Sequence, residues 1–317
     1  MQTSFEYSFP RYLEAKKSVD DRALNRQVWE ILAKQLRTLS DRKPIRVLEI
    51  GAGIGSMIER ILEWNLIRRA SYSALDSLVE NADAAFPRLS QWAARHNMSI
   101  LTKAAYQWQL ADANQKKKID IQYLNEDLFA FIQRQDGEQK WDLLLAHAFL
   151  DLVDIPSTLP LLKNLLSSEG SFYFSLNFDG ATIFEPAIDP AFDSLVETLY
   201  HRSMDERLIQ GKASGDSQAG RHLFRNLEQA GLTITGAGAS DWVVFPANGA
   251  YPYDEAYFLH FIVHTLHQEL RNHPELEAHR FEAWISKRRQ QIEAAELVYI
   301  AHQLDFVGKL SPDKNQC

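Results

Sequence analysis

Apolar runs of strand length alternate with helical segments through the first part of the chain. Apolar and β-branched residues predict strands at residues 46–50, 70–76, 119–124, 141–146 and 171–177. Amphipathic segments predict helices at residues 56–65, 78–97 and 157–168, and two more within residues 11–39. Apolar strands that alternate with helices are typical of a parallel sheet buried on both faces. The pattern therefore predicts an α/β fold.

The rest of the chain is predicted to add to this sheet. Residues 98–118 and 253–306 are predicted to be helical, and strands are expected at residues 232–236 and 241–245, paired with each other. The predicted organisation is an N-terminal helical cover at 1–40, a cofactor-binding core at 41–177, an insertion or lid at 178–219, completion of the core sheet at 220–250, and a C-terminal helical element at 251–317.

The turn after the first strand carries the clearest chemical signal. It reads GAGIG over residues 51–55 and leads from a buried strand directly into a helix. Glycines allow a tight turn and a close approach of the backbone to a ligand, and the start of a helix offers free N–H groups. A nicotinamide fingerprint would need its third glycine, or an alanine, at the sixth position, which is Ser56 here. The turn thus predicts a polar or anionic ligand, although it could also simply join strand to helix.

With Glu49 two residues ahead of Gly51, the G-x-G-x-G pattern resembles motif I of class I S-adenosylmethionine-dependent methyltransferases. The resemblance implies a Rossmann-like, seven-stranded and mostly parallel sheet flanked by helices, with helical additions. It implies S-adenosylmethionine as the cofactor, with Glu49 positioning its amino-acid end above the glycine turn. It also implies that the leading helices lie over the pocket, so that Tyr12, Lys16 and Arg22 are candidate contacts.

Asp76 ends the second predicted strand, about 20 residues after the turn, where dinucleotide-binding folds place an acid on the ribose diol. A role as a helix cap is the alternative, and Ser77 would serve equally well as a cap. The resemblance further implies that Asp127 reaches the adenine amino group and that Leu128 packs on the ring, while Asp127 would also suit the start of a helix. The predicted cofactor site is Glu49, Gly51, Ala52, Gly53, Gly55, Asp76, Ser77, Asp127, Leu128 and His147.

His147 follows the fourth strand, where the resemblance places the groups nearest the transferable methyl. It is the candidate catalytic base or acceptor-orienting group, with a hydrogen-bonded pocket wall as the alternative role. The motif for methylation of exocyclic amines, Asn/Asp-Pro-Pro-aromatic, is replaced here by Ala-His-Ala-Phe, which disfavours that substrate class. A magnesium mechanism would draw on Asp151, Asn177 and Asp179, but the adjacent Asp-Asn pair that it needs is absent.

Histidines 260, 264 and 267 lie on one helical stripe, which more often indicates structural histidines than metal ligands. No metal is expected. The only cysteine, Cys317, excludes an intrachain disulfide.

Charge and composition limit the classes of molecule that this chain is expected to bind. The formal net charge of -8 repels phosphate backbones, so a nucleic-acid substrate is not expected. No apolar run approaches the roughly 18 residues of a membrane span, and a secretory signal pattern is absent, so a cytoplasmic protein is expected without membrane partners. The aromatic content of the additions favours a small-molecule methyl acceptor, and a homodimer is one expected assembly.

The function that follows is methyl transfer from S-adenosylmethionine to an oxygen, nitrogen or carbon nucleophile of a small molecule. An aminopropyl transferase on the same fold is one alternative, although only Asp151 and Asp154 could hold a polyamine at the end of the fourth strand. A non-catalytic sensor of the cofactor is another. A nucleotide oxidoreductase ranks last because the glycine spacing is wrong.

Overall fold

The computed structural model describes residues 7–40, 43–135, 137, 139–209 and 211–311. Cys317 and the first six residues lie outside this range. The helices are α1 Phe9–Ala23, α2 Arg26–Ser40, α3 Ser56–Glu63, α4 Val79–Arg95, α5 Leu128–Gln135, α6 Ile155–Leu165, α7 Pro190–Asp205, α8 Ala219–Gln229, α9 Glu255–Leu270 and α10 Ala278–Glu293, with a 3-10 helix at Leu150–Leu152.

The strands are β1 Ile45–Ile50, β2 Arg69–Asp76, β3 Met98–Ala104, β4 Gln107–Asp112, β5 Lys118–Asn125, β6 Trp141–His147, β7 Leu166–Glu185, β8 Leu208–Ile209, β9 Lys212–Ala213, β10 Leu232–Ala239, β11 Trp242–Val244 and β12 Val298–Leu310. Strands β8 and β9 form a separate small hairpin, and all the others belong to one sheet.

The sheet has a seven-stranded centre in the order β5-β2-β1-β6-β7-β12-β10. Strands β5, β2, β1, β6 and β7 are parallel, and β12 runs antiparallel between β7 and β10. The chain builds outward from β1 through β2 to β5 and then crosses to β6 and β7, so β1 lies at the point where the strand order reverses. The predicted Rossmann-like fold class is confirmed.

Helices cover both faces of this sheet. Helices α5, α6 and α8 contribute the apolar residues packed on one face, and α1 to α4 with α7, α9 and α10 contribute those on the other. The central strand β6 is buried from Trp141 to Ala146, which is the reason that its sequence is almost continuously apolar. None of the helices in the described residues is long and apolar enough to span a membrane.

The sheet extends beyond the seven-stranded centre at the β5 end, and three expectations about it are wrong. Residues 98–112 form the antiparallel hairpin β3-β4 rather than a helix, and β3 is mostly exposed, so it lacks the apolar face that would mark it as a strand. The predicted pairing of residues 232–236 with 241–245 does not occur, because β10 and β11 each pair with β12. Residues 298–306, predicted to be helical, lie in β12.

Strand β7 also continues to Glu185, eight residues into the segment predicted as an insertion. The two helices predicted within residues 11–39 are α1 and α2. The break comes at Leu24 and Asn25, where the Asn25 side chain accepts a hydrogen bond from Val28 N–H and so begins α2.

Candidate functional site

The carboxyl ends of the central parallel strands meet at one edge of the sheet, and the predicted site residues come from four of them. The glycine turn follows β1, Asp76 ends β2, Asp127 follows β5, and His147 ends β6. The strand register places Ile50 beside Leu75 and Ala146, and Asp76 beside Asn125. The structure thus brings these groups to the edge where open α/β sheets bind ligands, at the reversal of strand order.

The GAGIG turn has a backbone that glycine accommodates best. Gly51, Gly53 and Gly55 have φ values of +67°, +53° and +81°, all in the left-handed region. A Cβ on Gly51 would lie 2.8 Å from the Phe149 ring, and one on Gly53 would lie 2.9 Å from a Leu13 methyl. The three glycines therefore form a shallow cradle that side chains of this chain now cover. A ligand seated on the turn has to displace Phe149 and Leu13.

Asp76 is hydrogen-bonded to the turn itself. One carboxylate oxygen, Oδ2, accepts from Gly53 N–H at 2.8 Å, and Oδ1 accepts from Leu78 N–H at 2.9 Å and from the Asn81 amide at 3.1 Å. A carboxylate has roughly four acceptor positions, so about one remains on the oxygen that faces the turn. Asp76 is not the N-cap of α4, since Leu78 holds that position, and a ribose hydroxyl could still donate to the remaining acceptor position.

Glu49 lies beneath the turn rather than on its surface. Its side chain is 2% exposed, and Oε2 accepts a hydrogen bond from the Tyr72 hydroxyl at 2.6 Å. Burial raises the pKa of Glu49 to about 8, against the smaller lowering effects of the Tyr72 hydrogen bond and the Arg60 charge. Glu49 is therefore a neutral carboxyl at pH 7. Because it lies beneath the turn, it can affect a ligand only indirectly, by holding β1 and the turn in position.

Of the remaining predicted contacts, Asp127 and Ser77 are exposed and Leu128 is buried. Asp127 Oδ1 accepts from the N–H groups of Phe129 and Ala130, which confirms that it caps α5. Its other oxygen makes none of these bonds, so the predicted adenine contact and the capping role are compatible. Ala52 packs in the core, and its N–H donates to the Leu75 carbonyl at 3.0 Å.

His147 has both ring nitrogens engaged. Nε2 lies 3.0 Å from Asp20 Oδ2, and Nδ1 lies 2.9 Å from the Ser175 hydroxyl. Burial lowers the pKa of His147 to about 4, so the ring is neutral at pH 7. Arg60 Nη1 also lies 3.3 Å from Nε2. The shorter contact of Nε2 with the Asp20 carboxylate favours a proton there, which leaves Nδ1 to accept from Ser175. In this arrangement His147 has no free lone pair for an acceptor, and its role as a base stays a prediction.

Asp20 is the centre of a buried polar network that the sequence did not reveal. Its Oδ2 accepts from Lys16 Nζ at 2.6 Å and lies 3.4 Å from Arg60 Nη2, and its Oδ1 accepts from the Trp242 indole N–H at 2.9 Å. With His147, these donors come from α1, α3, β6 and β11. Asp20 thus ties the N-terminal cover to the helix after the glycine turn and to the end of β6. The i, i+4 spacing of Lys16 and Asp20 was the only sequence signal for it.

The order Asp20–His147–Ser175 has the hydrogen-bonding pattern of a hydrolase triad. Ser175 is, however, fully buried in β7. A nucleophile must reach its substrate, so the arrangement does not support acyl transfer.

Other candidate contacts lie elsewhere. Arg22 pairs with the buried Glu255 of α9, at 2.8 Å from Nη2 to Oε2, and so joins two helices rather than touching the turn. Asp179 pairs with Arg221, and Asn177 is fully buried in the sheet, so neither joins Asp151 in a magnesium site. Among the residues that the structure describes, no group of His, Cys, Asp and Glu is arranged to hold a metal ion.

No protein-family model matches this chain, and no curated protein matches it. Solved structures do show similarity. A SAM-dependent methyltransferase from Thiobacillus denitrificans in complex with S-adenosyl-L-homocysteine is 14% identical, with a TM-score of 0.44, and the match covers 96% of this chain and 100% of that one. One from Geobacter sulfurreducens in the same complex is 14% identical, with a TM-score of 0.43 and the same coverage.

The cyclopropane synthase MmaA2 from Mycobacterium tuberculosis is 9% identical, with a TM-score of 0.41, over 88% of this chain and 84% of that one. Similarity at this level concerns the fold alone. The class that the strand order and the edge geometry define here is a Rossmann-like protein with a glycine turn of left-handed backbone at the end of β1. Its activity has to be inferred from its own residues.

Proposed function

We propose that this chain is an S-adenosylmethionine-dependent methyltransferase that acts on a small molecule. The observation that carries the proposal is the cradle of three left-handed glycines at the strand-order reversal, with the Asp76 carboxylate bonded to its middle N–H. A Cβ at Gly51 or Gly53 would clash with Phe149 or Leu13, so the backbone can be approached this closely only because these residues are glycine. This fits a nucleoside with a polar tail lying across the turn.

When bound, the cofactor would supply a methyl group on a sulfonium for in-line transfer to the acceptor. The chain's own part is to align the reactants and exclude water, which supplies much of the acceleration in such displacements. Asp76 would hold the ribose, Asp127 and Leu128 the adenine, and the glycine turn the amino-acid tail. Helix α1 contacts the edge through Asp20, which bonds His147 at the end of β6 and Trp242, and would shield this end of β6 from water.

The aromatic residues of α1 and α9 support a small, partly apolar acceptor. Tyr12 of α1 stacks on Phe261 and Phe258 of α9, at ring-centroid distances of 4.1 and 5.8 Å. Phe258 in turn contacts Trp242 and Tyr299 edge to face, at 5.3 and 6.1 Å. This aromatic wall stands beside the Asp20 network. Aromatic faces of this kind bind flat or apolar bodies rather than extended polar chains.

Replacing Gly53 by alanine should weaken cofactor binding. The variant needs a side chain at positive φ and places a methyl 2.9 Å from Leu13. We expect a loss of about 1 kcal/mol in the free energy of unfolding and a fall of at least about tenfold in affinity for S-adenosylhomocysteine by calorimetry. Gly249→Ala is the matched control, since Gly249 has φ +77° and open space around it. Equal affinity in both variants would remove the turn from the site.

Replacing Asp76 by alanine tests the ribose contact. Loss of a charged acceptor should weaken S-adenosylhomocysteine binding by about 1 to 3 kcal/mol, measured by calorimetry, with urea unfolding to check that the loop bonds of Asp76 are not the cause. Asp83→Ala serves as control, because that exposed carboxylate accepts a hydrogen bond from the Tyr106 hydroxyl and none from the glycine turn. Unchanged affinity in Asp76→Ala would exclude the contact.

Incubation with methyl-labelled S-adenosylmethionine and a metabolite extract tests the activity. We expect label in a small molecule. Tight cofactor binding with no transfer of label would favour the sensor alternative.

A further inference from the structure

Asn81 has a buried amide oxygen that lacks a hydrogen-bond donor. The residue lies in the first turn of α4 and is 1% exposed. Its amide N–H donates to Asp76 Oδ1 at 3.1 Å, whereas its own Oδ1 accepts no hydrogen bond from the residues that the structure describes. Buried polar atoms are nearly always paired, so an unpaired acceptor indicates a donor that comes from a ligand or an ordered water.

The orientation of this amide follows from its partner. An amide has a donor nitrogen and an acceptor oxygen on one planar group, whereas an ionised carboxylate can only accept. The nitrogen of Asn81 therefore has to face Asp76, and the oxygen is the atom left unpaired. Bond lengths place this free oxygen at most about 8 Å from Asp76 Oδ2, the carboxylate oxygen that faces the glycine turn.

Helix α4 carries Asn81 on the face that packs against the turn. Leu89 lies about two helical turns further along the same face, and its Cδ1 is 3.3 Å from the position of a Cβ on Gly55. Ala85, between them, is fully buried. Helix α1 packs against α4 and also covers the turn through Leu13. A ligand that displaces Leu13 therefore enters beside the face of α4 that carries Asn81.

Asp76 alone has too few free acceptor positions for a ribose diol. Its Oδ1 accepts from Leu78 N–H and from the Asn81 amide, and its Oδ2 accepts from Gly53 N–H. With about two positions on each oxygen, one position remains on Oδ2. A ribose has two neighbouring hydroxyls, so the second needs another acceptor. With O–H···O lengths of about 2.5 to 3.0 Å, such a diol can join acceptors up to about 8 Å apart.

We infer that Asn81 is a second ribose-binding residue: one ribose hydroxyl donates to Asp76 Oδ2, and the other donates to Asn81 Oδ1. This inference rests on the proposed function and narrows the ligand to one with an intact ribose diol. A ligand that lacks either hydroxyl leaves one of the two acceptors unpaired. Asparagine suits the position, since a lysine or arginine there could also donate to Asp76 but has no acceptor to offer.

Calorimetry with S-adenosylhomocysteine and its 2′-deoxy and 3′-deoxy forms tests the inference. We expect the wild type to bind each deoxy form at least about tenfold more weakly than the parent, because a site built to bond a hydroxyl rejects an analogue without it. Asn81→Leu keeps the branched shape and covers the vacated position on Asp76 with methyl groups. It should reduce the loss for one deoxy form to less than about threefold and leave the other near tenfold.

A role limited to holding Asp76 in place gives a different result. In that case Asn81→Leu would weaken all three ligands by the same factor and leave both deoxy losses as they are in the wild type, which would overturn the inference. Asn164→Leu, at an exposed position in α6, is the matched control and should leave all three affinities unchanged.

Carbon-13 NMR of the Asn81 side-chain carbonyl, measured in the wild type, does not depend on how a variant folds. Its signal should move by the same amount with the parent and one deoxy form, and differently with the form that lacks the hydroxyl bound to Asn81. Equal changes with all three ligands would overturn the inference. If S-adenosylhomocysteine itself does not bind, the proposed function fails and this inference with it. If it binds and the wild type tolerates either deoxy form, only this inference is overturned.

Discussion

Replacing Asp20 by alanine is expected to lower the free energy of unfolding by about 3 to 5 kcal/mol. Asp20 is 3% exposed, and its removal leaves the Lys16 ammonium and the fully buried Arg60 guanidinium without this carboxylate. A buried charge that loses its partner retains the cost of desolvation without the compensating attraction. Urea unfolding followed by circular dichroism measures the change.

The control is Asp254→Ala, which breaks the ion pair of α9 with Arg11. Both of those side chains are about half exposed, at 49% and 53%, so the loss should stay below about 1 kcal/mol. If Asp20→Ala costs no more than Asp254→Ala, Asp20 does not hold the N-terminal cover in place.

Replacing Glu49 by glutamine is expected to flatten the dependence of stability on pH. Between its ordinary pKa of 4.5 and its folded pKa of about 8, the folded chain keeps the Glu49 proton and the unfolded chain releases it. The stabilising contribution is therefore complete below pH 4.5 and is lost as the pH rises to 8, at about 1.4 kcal/mol per pH unit. Glutamine carries no proton to lose and can still accept the Tyr72 hydrogen bond.

The measurement is the difference in unfolding free energy between variant and wild type at pH 5, 6, 7 and 8. It should grow in favour of Glu49→Gln to about 4 to 5 kcal/mol across the window and then stop changing. Glu80→Gln, at an exposed position in the first turn of α4, should show no such trend. Parallel curves for Glu49→Gln and wild type would mean that Glu49 is ionised in the folded protein.

The parallel half of the sheet could be predicted because its signals are local. Strand β6 is buried on both faces and is therefore an almost continuous apolar run. The turn after β1 favours glycine because its backbone has positive φ at residues 51, 53 and 55. Asp76 could be placed because the end of β2 must lie beside the turn. For these features, the residues that the fold requires lie next to one another in the sequence, so the local pattern is enough to predict them.

The missed elements depend on distant partners. Strand β12 alternates buried and half-buried residues only because β7 and β10 lie on either side of it. It follows two helices, so its sequence was predicted to continue them as a helix. Strand β3 lies at the sheet edge, so nothing in its own composition marks it. Asp20 stabilises the fold by bonding groups on α3, β6 and β11. These groups are far apart in the sequence, so residue spacing does not reveal the network.

Calorimetric titration of the wild type with S-adenosylmethionine, S-adenosylhomocysteine and NAD tests the central claim most directly. The three ligands share an adenosine, so only the sulfonium or thioether amino-acid tail separates the first two from the dinucleotide. We expect both sulfur compounds to bind with one site per chain and NAD to show no saturable heat. Binding of NAD without either sulfur compound would contradict the assignment of the glycine cradle to S-adenosylmethionine.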